Sequence, residues 1–113
     1  MPSTRFYMMI EWSVPIGQAR PLTMALHSVA AEIRTIRGSV GCSVATDLGN
    51  RSTVRYTEAW QTEEHLRLRM QSETFSQLIM LIEDAIQRPV IEFGLGRETR
   101  GFDFVTEVRA STR

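Results

Sequence analysis

The chain has 113 residues, 42% apolar and 23% charged, and its thirteen acidic and thirteen basic side chains cancel to zero net charge. That length suits one domain, whose core can bury roughly two-thirds of the unfolded chain's surface with no help from a disulfide or a metal. Zero net charge and scattered basic residues exclude the electrostatic footprint of a nucleic-acid or anionic-membrane binder.

All thirteen basic residues are Arg. Guanidinium forks suit planar anions, but a GC-rich coding bias accounts for the same composition and points to a bacterial source. Cys42 stands alone in an alternating apolar run, so no disulfide framework or zinc spacing exists and a small buried thiol is expected. The N-terminus leads straight into an alternating segment, unlike a signal peptide, and no apolar run nears the roughly 20 residues of a membrane span. The expected compartment is the cytoplasm. One domain is expected over 5–109, with frayed ends at 1–4 and 110–113.

From Arg5 to Val14 the chain alternates, with Phe6, Met8, Ile10, Trp12 and Val14 on one face and Tyr7, Met9, Glu11 and Ser13 on the other. This is the period of a strand, and apolar residues on both faces predict a central position in its sheet. A loop over Pro15–Pro21 leads into a helix with Pro21 in its first turn. Leu22, Leu26, Val29, Ile33 and Ile36 form its apolar stripe, and Gly38 is its stop. Val40–Asp47 and Thr53–Trp60 alternate again and read as a hairpin, because the Gly49-Asn50 turn between them tolerates positive φ.

Thr62 is the expected N-cap of a short helix to Met70, with Glu63 and Glu64 opposing its dipole. Ser72 or Thr74 restarts a helix whose stripe is Phe75, Leu78, Ile79, Ile82 and Ile86, and Pro89 ends it. Val90–Leu95 and Phe102–Val108 both look strand-like, one as the required last strand and the other as surplus. The order is βαββαβ, an α+β fold of ferredoxin-like type with an antiparallel sheet carrying its helices on one face. Tyr7 and Met9 then leave the opposite face too apolar for water. A second copy of the chain is expected to cover it, sheet to sheet, as a homodimer.

Met8-Met9-Ile10-Glu11-Trp12, Gly38-Ser39-Val40-Gly41-Cys42 leading into the second strand, Glu58-Ala59-Trp60 closing the third, and Ser72-Glu73-Thr74-Phe75 opening the last helix resemble the antibiotic biosynthesis monooxygenase family. The resemblance covers about Met8 to Ile86. It implies a dimeric α+β barrel with a ligand pocket between sheet and helices of each subunit. The family includes cofactor-free quinol and polyketide oxygenases, haem-degrading enzymes and proteins with no assigned activity. Many catalytic members carry a His on the helix after the Trp and another before the Phe, where this chain holds Arg69 or Met70 and Thr74. The haem-degrading branch needs an iron-ligating His near Met70 and an Asn in the first strand, and neither is present, so no cofactor is expected.

Strand parity puts Tyr56, Glu58 and Trp60 on one face, and the resemblance turns that face toward the helices. Glu58 is then either a base whose burial raises its pKa or a structural carboxylate paired with an Arg. Trp60 and Tyr56 are a ligand wall or core. His65 is the second candidate base, sharing a helix face with Arg69, and the pair either binds an anionic or phenolic oxygen or lies in solvent. His27 either looks into the pocket from its edge or is a partly exposed, satisfied His. Arg97-Glu98-Thr99-Arg100-Gly101 reads as a lid, a partner contact or an exposed turn.

Three functions follow. The first is a cofactor-independent oxygenase for a small aromatic or quinol-type substrate. The second is a non-catalytic module that binds a small ligand on the same dimeric scaffold, and the third is an isomerase or lyase using the carboxylate without O₂.

Overall fold

The computed structural model describes residues 6–15, 17–47, 49 and 53–111. Residues 1–4, and all of the 48–52 connection except Gly49, therefore lie outside the described residues.

In chain order the elements are β1 (Phe6–Ser13), α1 (Ala19–Ile33), β2 (Ser39–Thr46), β3 (Thr53–Trp60), α2 (Glu63–Gln71), α3 (Phe75–Glu83), β4 (Val90–Leu95), β5 (Glu98–Arg100) and α4 (Asp103–Ala110). The five strands form one antiparallel sheet in the order β2-β3-β1-β4-β5. β1 lies between β3 and β4, as its two apolar faces predict.

Alternation sets what each strand buries. The register places Met8 between Glu58 and Phe93, Ile10 between Tyr56 and Ile91, and Trp12 opposite Val54. Met8, Ile10, Trp12, Val54, Tyr56, Glu58, Trp60 and Phe93 are all buried on this inner face. Leu26, Val29, Ala30 and Ile33 of α1, Leu66 and Met70 of α2, Phe75, Leu78 and Ile82 of α3, and Phe104, Val105 and Val108 of α4 close the same core. On the outer face, Gly94 lies beneath the Tyr7 ring, where an added Cβ would meet ring carbon at 2.1 Å. Tyr7 lies flat across β4 as a result, and its hydroxyl donates to the Glu92 carboxylate.

Three expectations need correction. Phe102–Val108 is no strand: its alternation is incidental, and the operative spacing is Phe104, Val105 and Val108 on the buried side of α4. Asp103 in the first turn and Arg109 in the last oppose the helix dipole, and Phe104 meets Phe93 edge-on at 5.2 Å between ring centres. The fourth strand is β4, and β5 pairs with β4 of the same chain around Gly96, whose φ is +73°. The charged 97–101 segment is therefore a turn and short strand. α3 also stops at Glu83 rather than running to Pro89: Asp84 is its C-cap, and the next N–H, of Ala85, reaches back only three residues to the Ile82 carbonyl at 3.4 Å. Ile86 leaves the stripe and is 76% exposed. Ala110, expected to fray, closes α4.

The helical reading of α4 has a direct test at exposed Thr106. Thr106→Pro removes an interior helix hydrogen bond and should cost about 3 kcal/mol in urea unfolding, whereas an edge strand would tolerate it at little cost.

Candidate functional site

The inner face of β3 carries Tyr56, Glu58 and Trp60 at alternate positions, and α2 lays Arg69 over them. Thr62 starts α2 in extended geometry, and its hydroxyl accepts the His65 backbone N–H at 3.1 Å. Glu58 is fully buried and Arg69 is 3% exposed. The Arg69 Nη2 and Nε donate to Glu58 Oε2 at 2.9 and 3.1 Å, and Nε also approaches Oε1 at 3.2 Å. The Tyr56 hydroxyl donates to Oε2 at 2.6 Å and the Trp60 indole N–H to Oε1 at 3.0 Å. Arg69 Nη1 reaches the Thr74 hydroxyl at 3.1 Å, and its guanidinium lies 5.3 Å from the Phe75 ring centre.

The electrostatics follow from this packing. Burial alone would disfavour the Arg69 charge, but the Glu58 carboxylate outweighs it and holds the guanidinium more firmly protonated. Burial, with the Glu58 charge beside it, drives the Tyr56 phenol far above its usual range. Cys42 pairs with Glu58 across the β2–β3 ladder, and burial pushes its thiol up to about 11, which favours the neutral thiol over the nucleophilic thiolate.

Four of the expected site residues, Tyr56, Glu58, Trp60 and Arg69, thus meet in one place. Both Glu58 oxygens accept hydrogen bonds, so this carboxylate is an anchor rather than an open base. His65 lies one step outward, half-buried, in a cleft of about 510 Å³ lined by Ile36, Arg37, Trp60, Leu68 and Arg69 among others. Its Nδ1 lies 2.7 Å from the Thr62 hydroxyl. His27 is not brought to the site. It sits on the exposed face of α1, beside buried Leu26 but turned away from it. A smaller apolar cleft of about 250 Å³, at the far end of the sheet, is lined by Trp12, Val14, Leu22, Leu81 and Ala85 among others.

Sequence reading missed Thr74 as a partner of Arg69 and Gly38 as the floor beneath His65. Gly38 looked only like a helix stop, but α1 ends earlier, at Ile33 with Arg34 as its C-cap, so Ile36 falls outside the helix and Gly38, with φ +92°, lies in the turn before β2, where a Cβ would fall 2.2 Å from His65 Cδ2. The hairpin register could have placed Cys42 opposite Glu58. Among the described residues, no group of three or more His, Cys, Asp or Glu could hold a metal ion, and no helix is long and apolar enough to cross a membrane.

The antibiotic biosynthesis monooxygenase family model matches residues 5–79. The chain belongs to that family. No curated protein matches its sequence. Among solved structures, a Deinococcus radiodurans protein provisionally named for the same family is 18% identical, with a TM-score of 0.71 over 82% of this chain and 93% of that one. A Pseudomonas aeruginosa protein is 21% identical, with a TM-score of 0.67 over 85% and 96%. A Nitrosomonas europaea protein, also provisionally named for the family, is 10% identical, with a TM-score of 0.69 over 82% and 99%. At such identities these likenesses establish the fold.

The buried ion pair makes a stability prediction. Arg69→Met strands a buried carboxylate and should cost about 3–5 kcal/mol in urea unfolding, and adding Glu58→Gln to it should recover part of that loss. If the double variant were no more stable than Arg69→Met alone, Glu58 would not depend on Arg69 for its charge.

Proposed function

We propose that the chain is a cofactor-independent monooxygenase for a small aromatic or quinol-type substrate, bound in the cleft between α2 and the end of β3. The observation that carries this reading is a cleft of about 510 Å³ whose lining includes both the His65 imidazole and part of the largely buried Trp60 indole. Trp60 gives an aromatic ring a flat wall. His65 takes the phenolic proton, and the resulting anion is electron-rich enough to pass an electron to O₂. One oxygen atom ends on the substrate and the other leaves as water, so that RH₂ + O₂ gives RO + H₂O, with all electrons from the substrate. Arg37 in the cleft lining sets positive charge near the phenolate, while the Arg69 charge is met by Glu58. Glu58 serves by holding Trp60 and Arg69 in place.

An oxygen electrode with a panel of quinols and polyphenols tests the reading. Substrate-dependent uptake that falls by about 10²-fold or more in His65→Gln is expected, and no uptake above buffer with any member of the panel overturns it. A second reading has its own support: with both Glu58 oxygens engaged, a module that binds such a ligand without turning it over needs no further residue. Binding without oxygen uptake, unchanged in His65→Gln, would favour that module.

The proposal includes a homodimer. Tyr7 and Met9 on the outer face are apolar and only half-buried, and the flat Tyr7 ring over Gly94 leaves a level surface for a second sheet. Light scattering should report a dimer at micromolar concentration and a folded monomer for Met9→Arg. A wild-type monomer would overturn the dimer.

A further inference from the structure

We propose that Thr62 is the positioning residue for His65: its hydroxyl holds the ring proton on Nδ1 and leaves the Nε2 lone pair for the cleft. The inference rests on the reading of His65 as the base, and it concerns which form of the neutral ring the protein selects.

The geometry comes from one side chain with two duties. The Thr62 hydroxyl caps α2 by accepting the His65 backbone N–H at 3.1 Å, and the same oxygen lies 2.7 Å from His65 Nδ1. Cap and ring contact belong to the same residue pair, three apart, so forming the helix brings the hydroxyl to the imidazole. The ring is confined from the other side as well. It lies against Gly38, where an added Cβ would fall 2.2 Å from Cδ2, 2.4 Å from Cγ and 2.8 Å from Nε2. The Gly38 carbonyl in turn accepts the Gln61 N–H at 2.9 Å, which ties this floor to the residue before the cap. Thr62 meets the ring at Nδ1, and Gly38 lies against its Cγ, Cδ2 and Nε2.

A hydroxyl has one hydrogen and two lone pairs, so it can face Nδ1 as donor or as acceptor. As donor it would put the neutral ring's proton on Nε2 and block that nitrogen as a base. As acceptor it takes an Nδ1–H beside the backbone N–H, one on each lone pair, and Nε2 is open. Proton uptake at Nε2 produces an imidazolium, whose Nδ1 can only donate. The acceptor arrangement is thus already the one that the protonated ring requires, and no group must reorient when the proton moves.

Imidazole ¹⁵N shifts of the full-length chain, at a pH where the rings are neutral, report the tautomer directly, with exposed His27 identified by a His27→Gln variant and serving as internal reference. The expected signature for His65 is a protonated Nδ1 and a bare Nε2. It should persist in Thr62→Ser and in Thr62→Asp, which keeps the cap and can only accept. In Thr62→Val it should revert to the mixture shown by His27. A wild-type His65 protonated on Nε2, or a tautomer unmoved by Thr62→Val, overturns the proposal. With an active quinol, Thr62→Val should lower kcat on the order of tenfold at unchanged KM and Thr62→Ser should restore it; equal kcat in all three would also overturn it. Should every quinol prove inert while the ¹⁵N signature depends on Thr62, the oxygenase reading falls and the tautomer assignment stands.

Discussion

The rest of the structure is arranged around one fully buried carboxylate. Taking the Glu58 charge out of water costs several kcal/mol, and the cost is tolerable only where an opposite charge and hydrogen-bond donors meet it. Arg69 supplies the charge, and Tyr56 and Trp60 supply donors from the same strand. That requirement dictates where α2 lies, since Arg69 must reach down from it onto β3. It also determines the rotamer of Trp60, whose N–H is committed to Glu58, so the indole can offer its face but not its polar edge to anything in the cleft.

This arrangement divides the site into a locked interior and a usable edge. Inside, every charge is matched: Glu58 against Arg69, and the second arm of Arg69 against Thr74. Arg69 and Thr74 are thereby spent on each other, bonded at 3.1 Å. A group that binds its partners so fully is poorly suited to give or take a proton. The edge holds His65, which has a capping hydroxyl on one nitrogen and the cleft nearby.

The strands were legible because half-buried sheets impose a period of two that little else mimics, and the parity of Tyr56, Glu58 and Trp60 came with it. That Arg69 would be the partner of Glu58 was open, since the alternative of a solvated helix face satisfies the same spacing. Phe102–Val108 was misread for a definite reason. Phe102, Phe104, Thr106 and Val108 alternate well enough for a strand, while Phe104, Val105 and Val108 also suit one turn of helix, and a segment this short cannot separate the two periods. Packing decided it, through the Phe93 and Phe104 rings. His27 illustrates the opposite limit: its neighbour Leu26 is buried, and one helix step of 100° was enough to turn it outward. Gly38 looked like punctuation because a glycine's second role, making room for a ring from a distant helix, leaves no local pattern.

α4 lies beyond the residues matched by the family model, and its packing bears on the site all the same. Arg109 donates to the Met70 carbonyl at 2.6 Å near the end of α2, and Arg67 of α2 lies 5.1 Å from the Phe104 ring centre. α2 is thus held from three directions: by Arg69 on the sheet, by Gly38 against His65, and by α4 along its outer side. A helix so constrained cannot shift much to meet a ligand. The adjustable parts of the cleft are instead its rim side chains, Ile36, Arg37 and Leu68, of which Leu68 is 56% exposed and Ile36 38%. Under the proposed function, selectivity for a ligand resides in these rim residues rather than in Trp60 and His65, which neighbouring contacts hold in place.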